Sequence, residues 1–215
     1  MEHHIFLDKS CTIIKGSNAN TGLNPVAELN YGQSVSRVLI HFPMEQIEQI
    51  NKDCQSEKKY LLSMKNCASL MILPYYRGPV DAKGNERERA SSCTVVVFRV
   101  PREFDAGRGY EYTNDFSIHE NKSYTENGCN WYQSDNGNPW HNEGCIDLDA
   151  EYDKYKQGEQ SLIITEQHFD FGNENFEFNI TPYIEGILSE KWRNYGIGIS
   201  FIPQLEKTTT LIGQY

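Results

Sequence analysis

The sequence has no long apolar run, no CxxC pair, no block of lysine or arginine and no signature of a known catalytic loop. Each absence excludes something. Without about 18 consecutive apolar residues there is no candidate membrane-spanning helix. The chain carries 20 Lys+Arg against 30 Asp+Glu, a formal net charge of −10, which argues against a nucleic-acid binder because neutralising phosphates takes a basic face. HExxH, GxSxG, GxxxxGK(S/T) and GxGxxG are all missing, and Gly107-Arg108-Gly109 is only a fragment of a glycine loop, so no enzymatic activity is predicted. The opening Met1-Glu2-His3-His4-Ile5 has neither the charged nor the apolar region of a signal peptide. The six cysteines, at 11, 54, 67, 93, 129 and 145, are therefore expected to be free and mostly buried thiols in a chain made in a reducing cytoplasm, with a three-bridge scaffold as the alternative.

What is present is strand periodicity. The 215 residues suffice for one core, and an aromatic content of 12% is not that of a disordered chain, so a single domain over 1–215 is expected. Phe176-Glu177-Phe178-Asn179-Ile180-Thr181 alternates apolar and polar, as does Val35 to Phe42, with Val38, Ile40 and Phe42 on one side. Cys93 to Val100 is β-branched enough for a central strand. In Tyr195-Gly196-Ile197-Gly198-Ile199-Ser200-Phe201 one face fills a core, while the other is nearly bare and can accept a close neighbour. Weaker strands are expected at Ile5–Leu7, Thr12–Lys15, Ala27–Tyr31, Ser69–Pro74, Leu162–Thr165 and Thr208–Gly213. Roughly ten short strands indicate an all-β sandwich rather than an α/β fold.

Two short helices interrupt them. One starts at Pro43, with Met44, Ile47 and Ile50 on a stripe. The other takes Thr181 as N-cap and Pro182 at its first position, carries Ile184, Ile187, Leu188 and Trp192 on one face, and ends at Asn194. From Asp105 to Gly144 the chain is rich in Gly, Asn, Asp, Ser, Tyr and Trp with little periodicity, which predicts one long loop at about 105–144. A connection of that length is usually functional or ordered by a partner.

The loop holds the residues with chemistry. Cys129, His141 and Cys145, with His119 near in sequence, have ligand types that zinc accepts, but only His141 and Cys145 are tightly spaced, and no metal or other cofactor is predicted. Asp147, Asp149, Glu151 and Asp153 alternate; on a strand they would line one face, as a solvated surface, a calcium-holding array or a match for a basic neighbour. Tyr124, Trp131, Tyr132 and Trp140 form the main aromatic group. Such rings either stack on sugar faces, or pin the loop to the sandwich and anchor a protein interface.

Three segments carry a resemblance. Ser36-Arg37-Val38-Leu39-Ile40-His41-Phe42, Ala68-Ser69-Leu70-Met71-Ile72, and Phe178-Asn179-Ile180-Thr181-Pro182-Tyr183-Ile184 followed by Trp192 and Asn194-Tyr195-Gly196-Ile197 resemble the strands of DNRLRE-type jelly-roll β-sandwiches. Asn179 stands where that family has an aspartate, which weakens a metal role there. The opening Asp8-Lys9 and Asn20-Thr21-Gly22-Leu23-Asn24-Pro25-Val26-Ala27-Glu28-Leu29, with Asn194 to Phe201 near the end, resembles structural proteins of crAss-like tailed bacteriophages. The resemblance implies a jelly-roll-like sandwich serving as a ring or adaptor subunit of the portal–tail neck or tail. Its partners would be copies of itself and other virion subunits, without sequence-specific nucleic-acid binding or a membrane, and it would be assembled in the host cytoplasm. The alternative is a carbohydrate-binding module for host glycans, using the loop aromatics. A hydrolase using carboxylates such as Glu126 and Asp135 is a third, weaker reading.

Overall fold

The computed structural model describes residues 4–24, 27–32, 34–56, 69–72, 92–109, 128–170 and 175–208. Strands outnumber helices among the elements they form, nine to four. The strands are β1 (Lys9–Ile14), β2 (Ser36–His41), β3 (Ser69–Ile72), β4 (Cys93–Arg99), β5 (Gln133–Asp135), β6 (Asn138–Pro139), β7 (Ile163–Phe169), β8 (Phe176–Asn179) and β9 (Ile197–Phe201). The helices are α1 (Met44–Ser56), α2 (Leu148–Lys156), α3 (Thr181–Leu188) and α4 (Pro203–Glu206). None of the described helices is long and apolar enough to cross a membrane.

Five strands form one antiparallel sheet in the order β1-β2-β9-β4-β7, and two-stranded ribbons pair β3 with β8 and β5 with β6. The last strand among the described residues, β9, lies at the centre, between β2 and β4. Its composition explains the position. Ile197, Ile199 and Phe201 point to one side, while a Cβ on Gly198 would fall 2.1 Å from Cζ of Phe98, its cross-strand partner. The bare face expected here is filled by that ring.

Both faces of the sheet are covered. On one, Val38, Ile40, Val95, Val97, Ile197, Ile199 and Phe201 pack with Phe176 and Phe178 of β8, Ile47 of α1, and Tyr183, Ile184 and Ile187 of α3. On the other, Cys11, Ile13, Leu39, Val96 and Phe98 meet Phe104, Trp131, Trp140, Ile146, Leu148 and Tyr152. Covering of both faces is why β2 and β9 read as buried at nearly every position.

Several expectations are corrected. Residues 5–7 and 27–31 are irregular: Phe6 is exposed, while Leu29 and Tyr31 turn their side chains into the first core without joining a ladder. The cap of α3 is Ile180, not Thr181, and the Thr181 N–H is taken by Asn179 Oδ1 at 3.0 Å. That helix ends at Leu188, before Trp192. Glu190 adopts a positive φ of 56°, and the Trp192 N–H returns to Gly186 O at 3.0 Å, which lays the indole on Gly186. The acidic run is not a strand: Asp147 caps α2 by accepting from the Ala150 N–H at 3.1 Å, so the alternate acids are spread around a helix rather than along one face. Helix α4 adds a further turn after β9, at Pro203. Within the 105–144 loop, residues 133–139 form the β5–β6 ribbon, and residues 110–127 lie outside the described residues. The strand expected over Thr208–Gly213 falls beyond them after Thr208.

Candidate functional site

The aromatic group divides. Tyr124 lies outside the described residues. Trp131 and Trp140 are 4% and 5% exposed, which corrects any reading of them as open stacking platforms; Tyr132, between them in sequence, is 36% exposed. The reason is local. The Arg37 guanidinium stands 5.0 Å over the Trp131 ring, and Gly144, at φ +72°, approaches so closely that a Cβ would fall 2.7 Å from that indole. The Trp140 Nε1–H donates to Asn130 O at 2.8 Å, satisfying its one polar group inside the core. The two indoles thus hold the 128–146 segment against the sheet.

Two buried polar side chains complete that attachment. Asn20 Nδ2 donates to the carbonyls of Ala106 (2.7 Å) and Cys129 (2.8 Å), while its Oδ1 accepts from the N–H groups of Gly109 (2.7 Å) and Gly22 (3.2 Å). Arg37, on β2, reaches across with Nη1 to Gly144 O (2.6 Å) and Ile146 O (3.1 Å). Its Nε and Nη2 fork onto the Glu206 carboxylate of α4 at 2.9 and 2.8 Å. With 6% and 10% of their side chains exposed, these two charges are compensated almost wholly by each other and by the two carbonyls. A lone arginine inside an apolar strand was the visible signal of this anchor; Asn20 had none, because a single asparagine in a polar stretch is unremarkable until the chain closes on it.

Of the cysteine and histidine set, His119 lies outside the described residues, and Cys129, His141 and Cys145 do not form a metal-holding group. His141 is exposed, whereas Cys129 and Cys145 are buried. Cys129 Sγ faces Cys11 Sγ of β1 at 2.8 Å. Burial raises the Cys145 thiol pKa, opposed by nearby Arg37, and burial followed by the Cys129 contact raises that of Cys11. Among the described residues no three His, Cys, Asp or Glu side chains are grouped to hold a metal ion. The acids of α2 are engaged separately. Asp149 pairs with Lys207, while Glu151 accepts from Lys154 Nζ (2.7 Å), Ser161 Oγ (3.0 Å) and the Leu162 N–H (2.6 Å).

A concavity of about 270 Å³ opens where strand ends meet, lined by Lys9, His41, Glu103, Phe104, Arg193, Asn194 and Tyr195. His41 Nδ1 lies 2.6 Å from Asp8 Oδ1 and its Nε2 lies 3.3 Å from Asn194 O. Asn194 is itself held by the Tyr183 hydroxyl, which donates to its Oδ1 at 2.8 Å, and by its own Nδ2 donating to Phe42 O at 2.8 Å. Burial raises the Tyr183 pKa, against the opposing effects of the Gly196 N–H and Arg99. The lining mixes both charge signs and offers neither a serine nor a cysteine nucleophile. A second polar group, Ser92–His168–Asp170, has serine (3.1 Å) and aspartate (3.5 Å) on the same ring nitrogen, Nε2, with Thr94 Oγ1 on Nδ1 at 2.9 Å. The Asp170 carboxylate thus shares a ring nitrogen with the Ser92 hydroxyl and lies across the ring from the Thr94 hydroxyl, and Ser92, His168 and Asp170 are all exposed.

No protein-family model, curated protein or solved structure matches the chain.

Proposed function

We propose that this chain is a structural subunit of a tailed-bacteriophage particle, a ring or adaptor of the neck or tail that works through protein–protein contacts. Its fold would be a jelly-roll-related sandwich in which the β3–β8 ribbon stands for the second sheet. The observation that carries the reading is how the apolar surface is distributed. The loop indoles are used in packing, while Phe6, at 73% exposure, and its neighbour Leu7 stand in solvent directly before edge strand β1. An apolar pair leading into a sheet edge suits strand addition or subunit docking, since main-chain pairing and a side-chain anchor are offered together. An acidic subunit facing a DNA channel would also repel passing phosphate. The sequence resemblance to crAss-like virion proteins points the same way.

The test is quantitative mass spectrometry of purified native particles. A fixed low copy number, near a dozen per portal as a ring would require, is the expected result. A chain found only in the soluble fraction would sink the reading. Retention on host glycan that is lost in Tyr132→Ala would move it to carbohydrate recognition, because Tyr132 is the one exposed ring of the described aromatic group.

A further inference from the structure

We propose that Cys11 and Cys129 are the two halves of a switchable disulfide that ties edge strand β1 to the 128–146 segment. Cys11 lies in β1 opposite Leu39, and Cys129 lies at the start of the segment, 118 positions away. Their sulfurs are 2.8 Å apart, nearer than two unbonded sulfurs pack, and both residues are buried. The two backbones are held independently of the sulfurs. Cys11 sits in the β1–β2 ladder; the Cys129 N–H donates to Asp105 O at 2.6 Å and its carbonyl accepts from Asn20. Joining them asks the two sulfurs to close from 2.8 Å to the bonded distance of about 2.05 Å.

The reaction needs an oxidant, and a low-molecular-weight disulfide, RS–SR, is the class that fits. One cysteine, as thiolate, attacks a sulfur of RS–SR; that S–S bond breaks and RS⁻ leaves to take up a proton. The second cysteine then attacks the protein sulfur of the mixed disulfide, forming the Cys11–Cys129 bond and releasing the second RS⁻. Two thiols are oxidised by two electrons and one reagent disulfide is reduced to two thiols. Burial keeps the Cys11 thiol protonated in the closed fold, so exchange runs while the 128–146 segment is lifted from the sheet, during folding or opening. The bond then closes a loop of more than a hundred residues. It converts an attachment made by Asn20, Arg37 and two indoles into a covalent one, securing the strand at the sheet edge. Cys145, buried nearby, is the competing thiol.

The full chain, purified reduced and then equilibrated in a glutathione redox buffer, is trapped with an alkylating agent and peptide-mapped without reduction. Trypsin leaves Cys129 and Cys145 on one peptide, and a second cut at Asp135 or Glu143 separates them. The expected product links Cys11 to Cys129. It melts on the order of 10 °C above the reduced protein, reverts with dithiothreitol, and still forms in Cys145→Ala. Cys11→Ala and Cys129→Ala should lose the oxidation-dependent shift while folding under reducing conditions. Six alkylated cysteines after oxidation, a Cys129–Cys145 link, or a link without a melting shift would each overturn the proposal. The map on the unmutated chain keeps the test decisive should a variant fail to fold.

Discussion

The two faces of the central sheet are built by different physics. One face is closed by regular elements: alternating Val38, Ile40, Val95, Val97, Ile197 and Ile199 meet the Phe176/Phe178 face of β8 and the apolar stripe of α3. The opposite face is closed mainly by the irregular 104–109 and 128–146 segments with α2, and there buried polar groups do what ladders do elsewhere. Asn20 satisfies two carbonyls and two N–H groups, and Arg37 satisfies two carbonyls and a carboxylate. Irregular backbone carries unpaired donors and acceptors into the core, so it can be buried only where side chains meet them. Apolar packing fails gradually as atoms are removed; a polar node fails at once, because its partners are left unpaired and dry.

That contrast can be broken in order of size. Arg37→Ala should be the most damaging, at about 3–5 kcal/mol by urea denaturation, since it strands the buried Glu206 carboxylate and two carbonyls. Replacing both charges, as Arg37→Met with Glu206→Leu, should recover part of that loss; a double variant no better than the single one would mean the carbonyl bonds dominate. Asn20→Ala, read the same way, should lose roughly 2–3 kcal/mol by leaving four backbone groups unpaired. On the apolar face, Ile199→Val should cost only about 0.5–1.5 kcal/mol. A larger loss there than at Asn20 would overturn the comparison.

Two smaller effects sharpen it. Glu151 is partly buried, which by itself raises its pKa, but bonds from Lys154, the Leu162 N–H and Ser161 outweigh this and leave it below the ordinary 4.5. A carboxylate lowered in the folded state contributes stability fully above its unfolded value and loses it as pH falls through the folded one. Stability measured from pH 5 downward should therefore decline less steeply in Glu151→Gln than in the parent. Ser200, on β9, buries its hydroxyl without a partner among the described residues, so Ser200→Ala should be neutral or gain up to about 1 kcal/mol in the same denaturation assay.

The regular face was legible because its signal is local. A period of two in Phe176–Ile180 and in Ile197–Phe201 marks which side chains share a side, and the bare Gly198 face announced a close neighbour without naming Phe98. The irregular face was not legible in this way. Alternation at Asp147–Asp153 mimicked a strand, because a helix of nine residues carries too few turns for its own period to stand out. Trp131 and Trp140 were open to two readings, stacking on sugars or pinning the loop to the sandwich, since nothing near Trp131 in sequence reveals Arg37. Residues 5–7 and 27–31 have the composition of strands but pair with none of the described ones.

Composition and periodicity by themselves determined that the chain is acidic, rich in strands and built around β2, β4, β8 and β9, because hydrophobic alternation acts between near neighbours. Only the tertiary structure decided that β9 enters the centre of the sheet, that the indoles face inward, and that Cys11 meets Cys129. Those outcomes depend on groups brought together from separate parts of the chain, 118 positions apart for Cys11 and Cys129. At that range burial, pairing of backbone polar groups and steric fit select the partner, and no sequence window records them.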